Sequence, residues 1–164
     1  MATRTASVPT FDGFLSYAHA DAALAAEFTR LFGPRGRIRS DARFQLWDDR
    51  ALLVGEAWKA RILTELGRSA FGLLLLSPNF FDRSFIEEVE MPAILATGRV
   101  VPVGLESVDL GGVDLRGVEE LQIFRLPLGA RRPPKWFADL GAGNRKRFVD
   151  ELIAQMARRF RPDR

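Results

Sequence analysis

The 164 residues fit one domain with a continuous core, and 47% hydrophobic against 27% charged residues exclude global disorder. With no cysteine and His19 as the only histidine, disulfides, thiolate metal sites and multi-histidine zinc sites are excluded, and a Ser-His-Asp triad is disfavoured. The net charge of +3 is uneven, since residues 129–164 carry ten basic and four acidic side chains; that end reads as a solvated helix face, with too few interleaved aromatics for a nucleic-acid surface.

Residues 11–17, 44–48, 71–77 and 99–104 read as short strands with helical patterns between them, an alternation that predicts a parallel sheet. The first helix is expected to start at Asp21 as N-cap, to bury Leu24, Phe28 and Leu31, and to stop at Gly33-Pro34. Residues 33–43 then form a basic loop. A second helix fits 56–66, with Trp58, Ile62 and Leu66 on one stripe and Gly67 as C-cap. Residues 71–76 are apolar on both faces, as a central parallel strand covered by helices should be.

Ser84 and Glu87 have capping-box spacing and predict a helix start, while Pro92 predicts a kink or a division into two pieces. Val101-Pro-Val places the next strand near a sheet edge. Residues 105–133 read as loop with one weak strand in the apolar run 121–126. A last helix over 144–160 buries Phe148, Leu152, Ile153, Met156 and Phe160. Phe14, Trp47 and Trp58 read as core, and His19 as part of a solvated loop. The longest apolar run, 71–76, is far short of the roughly 20 residues of a membrane helix, and residues 1–10 have no signal-peptide core. The expected location is therefore cytoplasmic, with no membrane partner.

Glycine-rich phosphate loops are absent. Asp48 and Asp49 close a strand where ligands of open α/β sheets bind, but without a phosphate cradle they make a weak Mg²⁺ site. The positive signal is a set of motifs in order. They are Phe11-Asp-Gly-Phe-Leu-Ser-Tyr-Ala-His-Ala-Asp21, Trp47-Asp-Asp-Arg-Ala-Leu-Leu-Val-Gly-Glu56, and the run from Leu73-Leu-Leu-Leu-Ser-Pro-Asn79 through Phe85-Ile-Glu-Glu-Val-Glu-Met-Pro92. Together they resemble the first strand and loop, the second strand with its long BB loop, and the third strand and helix of a Toll/interleukin receptor (TIR) domain of the bacterial type.

The resemblance implies a flavodoxin-like three-layer α/β fold, with a central parallel sheet of about five strands flanked by helices. It implies a TIR domain over 11–160, a flexible N-terminus over 1–10, and a tail at 161–164 where a larger protein is truncated. For many members it also implies cleavage of NAD⁺ at the nicotinamide-ribose bond, in a prokaryotic immune or defence setting. That chemistry suits this chain. The neutral leaving group departs and positive charge grows on the ribose, so one nearby carboxylate stabilises the transition state with no metal, cofactor or histidine. The family's glutamate falls best on Glu90, with Glu88 as competitor and Glu87 better explained as the capping-box partner.

Substrate contacts implied by the same resemblance are Ser16, Tyr17 and Ala18 on the first loop, Asp48, Asp49 and Arg50 at the start of the BB loop, and Phe85 as a stacking surface. Ser16 and Asp48 have a plainer reading, the satisfaction of backbone donors at strand ends. Leu52, Leu53, Val54 and Gly55 of the BB loop are the expected self-association surface, because a loop presenting three exposed aliphatic residues fits a contact better than a solvated turn. The implied partners are other TIR domains in a homo-oligomeric assembly and a fused or separate sensor domain. The alternative is a non-catalytic TIR adaptor that binds other TIR domains.

Overall fold

The computed structural model describes residues 6–47, 52–53, 58–82 and 91–160. In chain order these form β1 (Thr10–Tyr17), α1 (Ala22–Arg37), β2 (Arg43–Leu46), β3 (Leu52–Leu53), α2 (Trp58–Arg68), β4 (Phe71–Leu76), α3 (Pro78–Phe81), α4 (Met91–Ala96), β5 (Val100–Gly104) and α5 (Ala142–Phe160). The sheet order is β2-β1-β4-β5, and all of its pairings are parallel. β3 pairs in parallel with Ser16 and Tyr17; since Ser16 opposes Leu74 across its other edge, β3 prolongs the line of β2. Beyond β5, the Phe124 amide donates to the Pro102 carbonyl at 2.8 Å, and the Phe124 carbonyl accepts from the Gly104 amide at 2.8 Å. The Pro102 carbonyl thus points outward, and its missing N–H falls on the outer side rather than in the β4 ladder. The result is the flavodoxin-like order, with a parallel five-strand sheet between helical layers.

Alternation along the strands divides the core in two. Leu15, Phe71, Leu73, Leu75, Val101 and Val103 face α1 and α5, where they meet Phe28, Phe32, Phe148, Leu152 and Met156. Phe14, Leu74, Leu76 and Val100 face α2, α3 and α4, where Trp58, Ile62, Phe80, Met91 and Ile94 cover them. All six residues of β4 are buried, as expected for a strand covered on both sides. β1 and β4 lie close because each sets a phenylalanine against a glycine of the other. The ring of Phe71 occupies the space a Cβ on Gly13 would need, and the ring of Phe14 does the same at Gly72.

Several expectations change. Gly33-Pro34 does not stop the first helix, which runs on to Arg37 and takes up residues 33–37 of the expected basic loop. Proline inside a helix costs about 3 kcal/mol locally, and tertiary contacts of the last turn outweigh it. Phe32 is buried, Arg35 donates to the Leu31 carbonyl at 3.1 Å and pairs with Asp150 at 3.2 Å, and Gly36 packs so tightly on the Phe44 carbonyl that no Cβ would fit. Gly67 is no C-cap; it lies inside α2, which continues to Arg68. The run 121–126 forms no continuous strand. A 3-10 turn (Glu120–Gln122) leaves Leu121 96% exposed, and single bridges join Phe124 to Val103 and Leu126 to Lys135.

Trp47 is 39% exposed and not core, while Phe14 and Trp58 are buried as expected. α5 buries Phe148, Leu152, Ile153 and Met156, with Phe160 half-buried at its end. α4 ends at a glycine terminus, with the amide of Gly98, at φ +73°, donating to the Leu95 carbonyl. The Ser84–Glu87 capping box and the geometry leading into Pro92 lie outside the described residues.

Candidate functional site

In an open parallel sheet ligands gather outside the carboxyl ends of the strands, at the point where the strand order reverses. Here that point lies between β1 and β4, because the chain adds β2 on one side of β1 and then β4 on the other. The carboxyl ends are Tyr17-Ala18 and Leu76-Ser77. Two buried polar arrangements sit there. Ser16, fully buried, accepts a hydrogen bond from the Trp58 indole N–H at 3.0 Å, which ties the first residue of α2 to the middle of the sheet. Trp58 in turn meets Phe80 edge to face at 5.9 Å.

The second arrangement joins the two strand ends directly. Asp21, only 4% exposed, accepts from the Ser77 hydroxyl and from the Asn79 amide, the latter at 2.8 Å. Ser77 is the N-cap of α3, and its oxygen accepts from the Phe80 amide at 3.1 Å, with Pro78 at the first helical position. One carboxylate therefore holds both the turn after β1 and the helix start after β4. The sequence places Asp21 correctly at the position before α1 but misassigns its side chain, which makes no capping bond. Nothing local distinguishes a capping aspartate from one committed to partners 56 and 58 residues away. The polar Ser77-Pro78-Asn79 directly after an apolar strand was the available signal.

The expected substrate residues divide. Ser16 and Ala18 are 0% and 1% exposed, so they form the underlying support of this end of the sheet. Tyr17, half-buried, points with Leu15 to the α1 side, where Trp47 also stands. His19 is exposed in the 3-10 turn (His19–Asp21), in keeping with a solvated position. Leu52 is 1% exposed beneath Trp58, which corrects the expectation of three exposed aliphatic residues; Leu53 is 37% exposed at the sheet edge. Glu87, Glu88, Glu90, Phe85, Asp48, Asp49, Arg50, Val54 and Gly55 lie outside the described residues. The chain re-enters the described structure at Met91, fully buried in the cluster of Trp58 and Phe80.

Among the described residues no three histidine, aspartate or glutamate side chains come together to hold a metal ion. No helix among them is long and apolar enough to cross a membrane. A family model for the TIR domain matches residues 14–131, which run from the middle of β1 through β5 and include the switch point. No curated protein matches the chain.

Proposed function

The chain belongs to the TIR domain family, and from that premise we propose that it is an NAD⁺ glycohydrolase switched on by self-association in a prokaryotic defence system. The observation that carries this reading is the clasp of Asp21 on Ser77 and Asn79 at the switch point. It fixes the start of α3, from which the chain leads directly into the segment holding Glu90.

In the proposed reaction the bond between the nicotinamide nitrogen and the ribose breaks, and its electron pair leaves with neutral nicotinamide. The ribosyl cation is stabilised by the Glu90 carboxylate. Water adds to it and loses a proton, giving ADP-ribose; attack by an internal nucleophile of the same molecule gives a cyclic ADP-ribose product instead. Asp48, Asp49 and Arg50 hold the ribose and phosphates, Tyr17 lines the entrance, and Phe85 offers a stacking surface for a base. Ser16 and Ala18 contribute through the backbone they hold in place. NAD⁺ is the substrate, and neither cofactor nor metal takes part. Leu53, with Val54 and Gly55, forms the contact with a neighbouring TIR domain, and Leu52 acts only as its buried anchor. Leu53 also fits a second reading, an adaptor that binds other TIR domains without catalysis.

One experiment separates the two. Concentrated protein is incubated with NAD⁺ and excess EDTA, and nicotinamide is followed by chromatography. Release is expected to persist with EDTA, to fall at least about a hundredfold in Glu90→Gln, and to drop in specific terms on dilution, since only assembled molecules are competent. Loss in Glu88→Gln instead moves the assignment two residues along the chain. Absence of release at any concentration leaves the adaptor.

A further inference from the structure

The strand β3 is too short to hold itself in the sheet. Its two residues pair with Ser16 and Tyr17 of β1, and among the described residues no other strand pairs with it. Sheet strands ordinarily run to about 3–10 residues, so two residues of ladder supply few hydrogen bonds and the place of β3 depends on side chains. Leu52 supplies one anchor, at 1% exposure in the apolar cluster of Phe14, Trp58 and Ile62. Trp58 supplies the other.

Trp58 opens α2 six positions after Leu52, and both residues return to Ser16. The Ser16 backbone pairs with Leu52 on one edge and with Leu74 on the other. Its Oγ accepts from the Trp58 indole N–H at 3.0 Å, and Phe80 meets that indole edge to face at 5.9 Å. Ser16, Leu52 and Trp58 thus form a closed set, joined by a backbone ladder, a shared apolar cluster and one hydrogen bond. Alternation along β1 points Ser16 to the side of Phe14, where Leu74 and Leu76 are also buried. A hydroxyl in such surroundings escapes a burial penalty only through the bond it makes. With Ser16 at 0% and Trp58 at 1% exposure, neither partner can turn to water instead.

We infer that Ser16 is a positioning residue: its hydroxyl, acting through Trp58, holds β3 against β1 and so sets how Leu53 meets a neighbouring molecule. Leu53 is the member of β3 that reaches solvent, at 37% exposure. The inference rests on the reading of Leu53 as a contact between TIR domains, and it gives Ser16 a role other than the direct substrate contact that the sequence resemblance implies.

The test uses the whole chain and its Ser16→Ala, Trp58→Phe and Leu53→Asp variants. Amide hydrogen exchange is read by mass spectrometry, self-association by sedimentation over a range of concentrations, and nicotinamide release over the same range. Ser16→Ala and Trp58→Phe each remove one partner of the same bond. Both should speed exchange at Leu52 and Leu53 by at least about tenfold while β4 keeps its protection. Both should also weaken self-association, and raise the protein concentration that gives half-maximal specific activity, by at least about tenfold. Leu53→Asp should weaken association with exchange at Leu52 unchanged, because it alters the contact and not its support. Unchanged exchange at β3 in both bond variants overturns the inference. So does exchange raised equally in β4, which would make the bond a general support of the sheet, or unaltered association despite faster exchange at β3. A parent chain that stays monomeric at every concentration overturns it as well. If the parent self-associates but releases no nicotinamide, the glycohydrolase reading falls, while exchange and sedimentation still decide for or against Ser16.

Discussion

Behind the sheet, α1 and α5 close the core ring on ring. Phe28 stacks on Phe32 and meets Phe137 edge to face, and Phe148 meets both Phe124 and Phe137 at 5.0 and 5.5 Å. In front, α2, α3 and α4 close it around Trp58 and Phe80, with polar groups among the apolar ones: Ser16 under the Trp58 indole, Ser77 bound to Asp21, and Glu65 buried on α2. Among the described residues no buried polar side chain lies on α1 or α5 themselves. The rear face has an apolar interior, with the ion pairs Arg35–Asp150 and Arg145–Glu27 joining α1 and α5 at its margin, so its stability scales chiefly with volume filled. The front depends on hydrogen bonds that have one correct partner each, which is how two loops from distant parts of the chain are kept in register at the strand ends.

That contrast predicts an order of effects. The largest loss belongs to the rear: Phe148→Ala should cost about 3–5 kcal/mol of unfolding free energy in urea, because the surrounding rings cannot close the cavity. Next comes the front clasp, where Asp21→Ala strands Ser77 and Asn79 and should cost about 1–3 kcal/mol, with Asp21→Asn recovering part of it. A loss for Asp21→Ala larger than for Phe148→Ala would reverse the comparison and make the clasp the main support of the fold. Leu121→Ser, at a residue 96% exposed on neither face, should change stability by less than about 0.5 kcal/mol.

How much of this was legible in the sequence follows the same division. Strand positions, the doubly buried β4 and the inward stripe of α5 were readable because period and composition are local. Where α1 ends was not, since Pro34 signals a stop and the contacts that override it, Phe44 and Asp150, come from other elements. The burial of Leu52 depends on its pairing with Ser16, and the exposure of Trp47 on the position of α1, neither visible from neighbouring residues. At the candidate site the motif order was legible and the clasp was not. A carboxylate that serves two strand ends looks, within its own turn, like any helix cap.

The crossed phenylalanines and glycines of β1 and β4 have a consequence for how such a sequence can drift. Phe71 with Gly13 lies on one face and Phe14 with Gly72 on the other, so each face carries one pair in which bulk on one strand is matched by its absence on the next. A side chain introduced at either glycine meets an aromatic ring, and a ring removed opposite it leaves a void, so each single step lowers stability while the exchange of both can restore it. The two positions of a pair therefore behave as one inherited character. In a double-mutant cycle Gly72→Ala and Phe14→Leu should be strongly non-additive, and neither should couple to a change at Gly13 or Phe71 to the same degree.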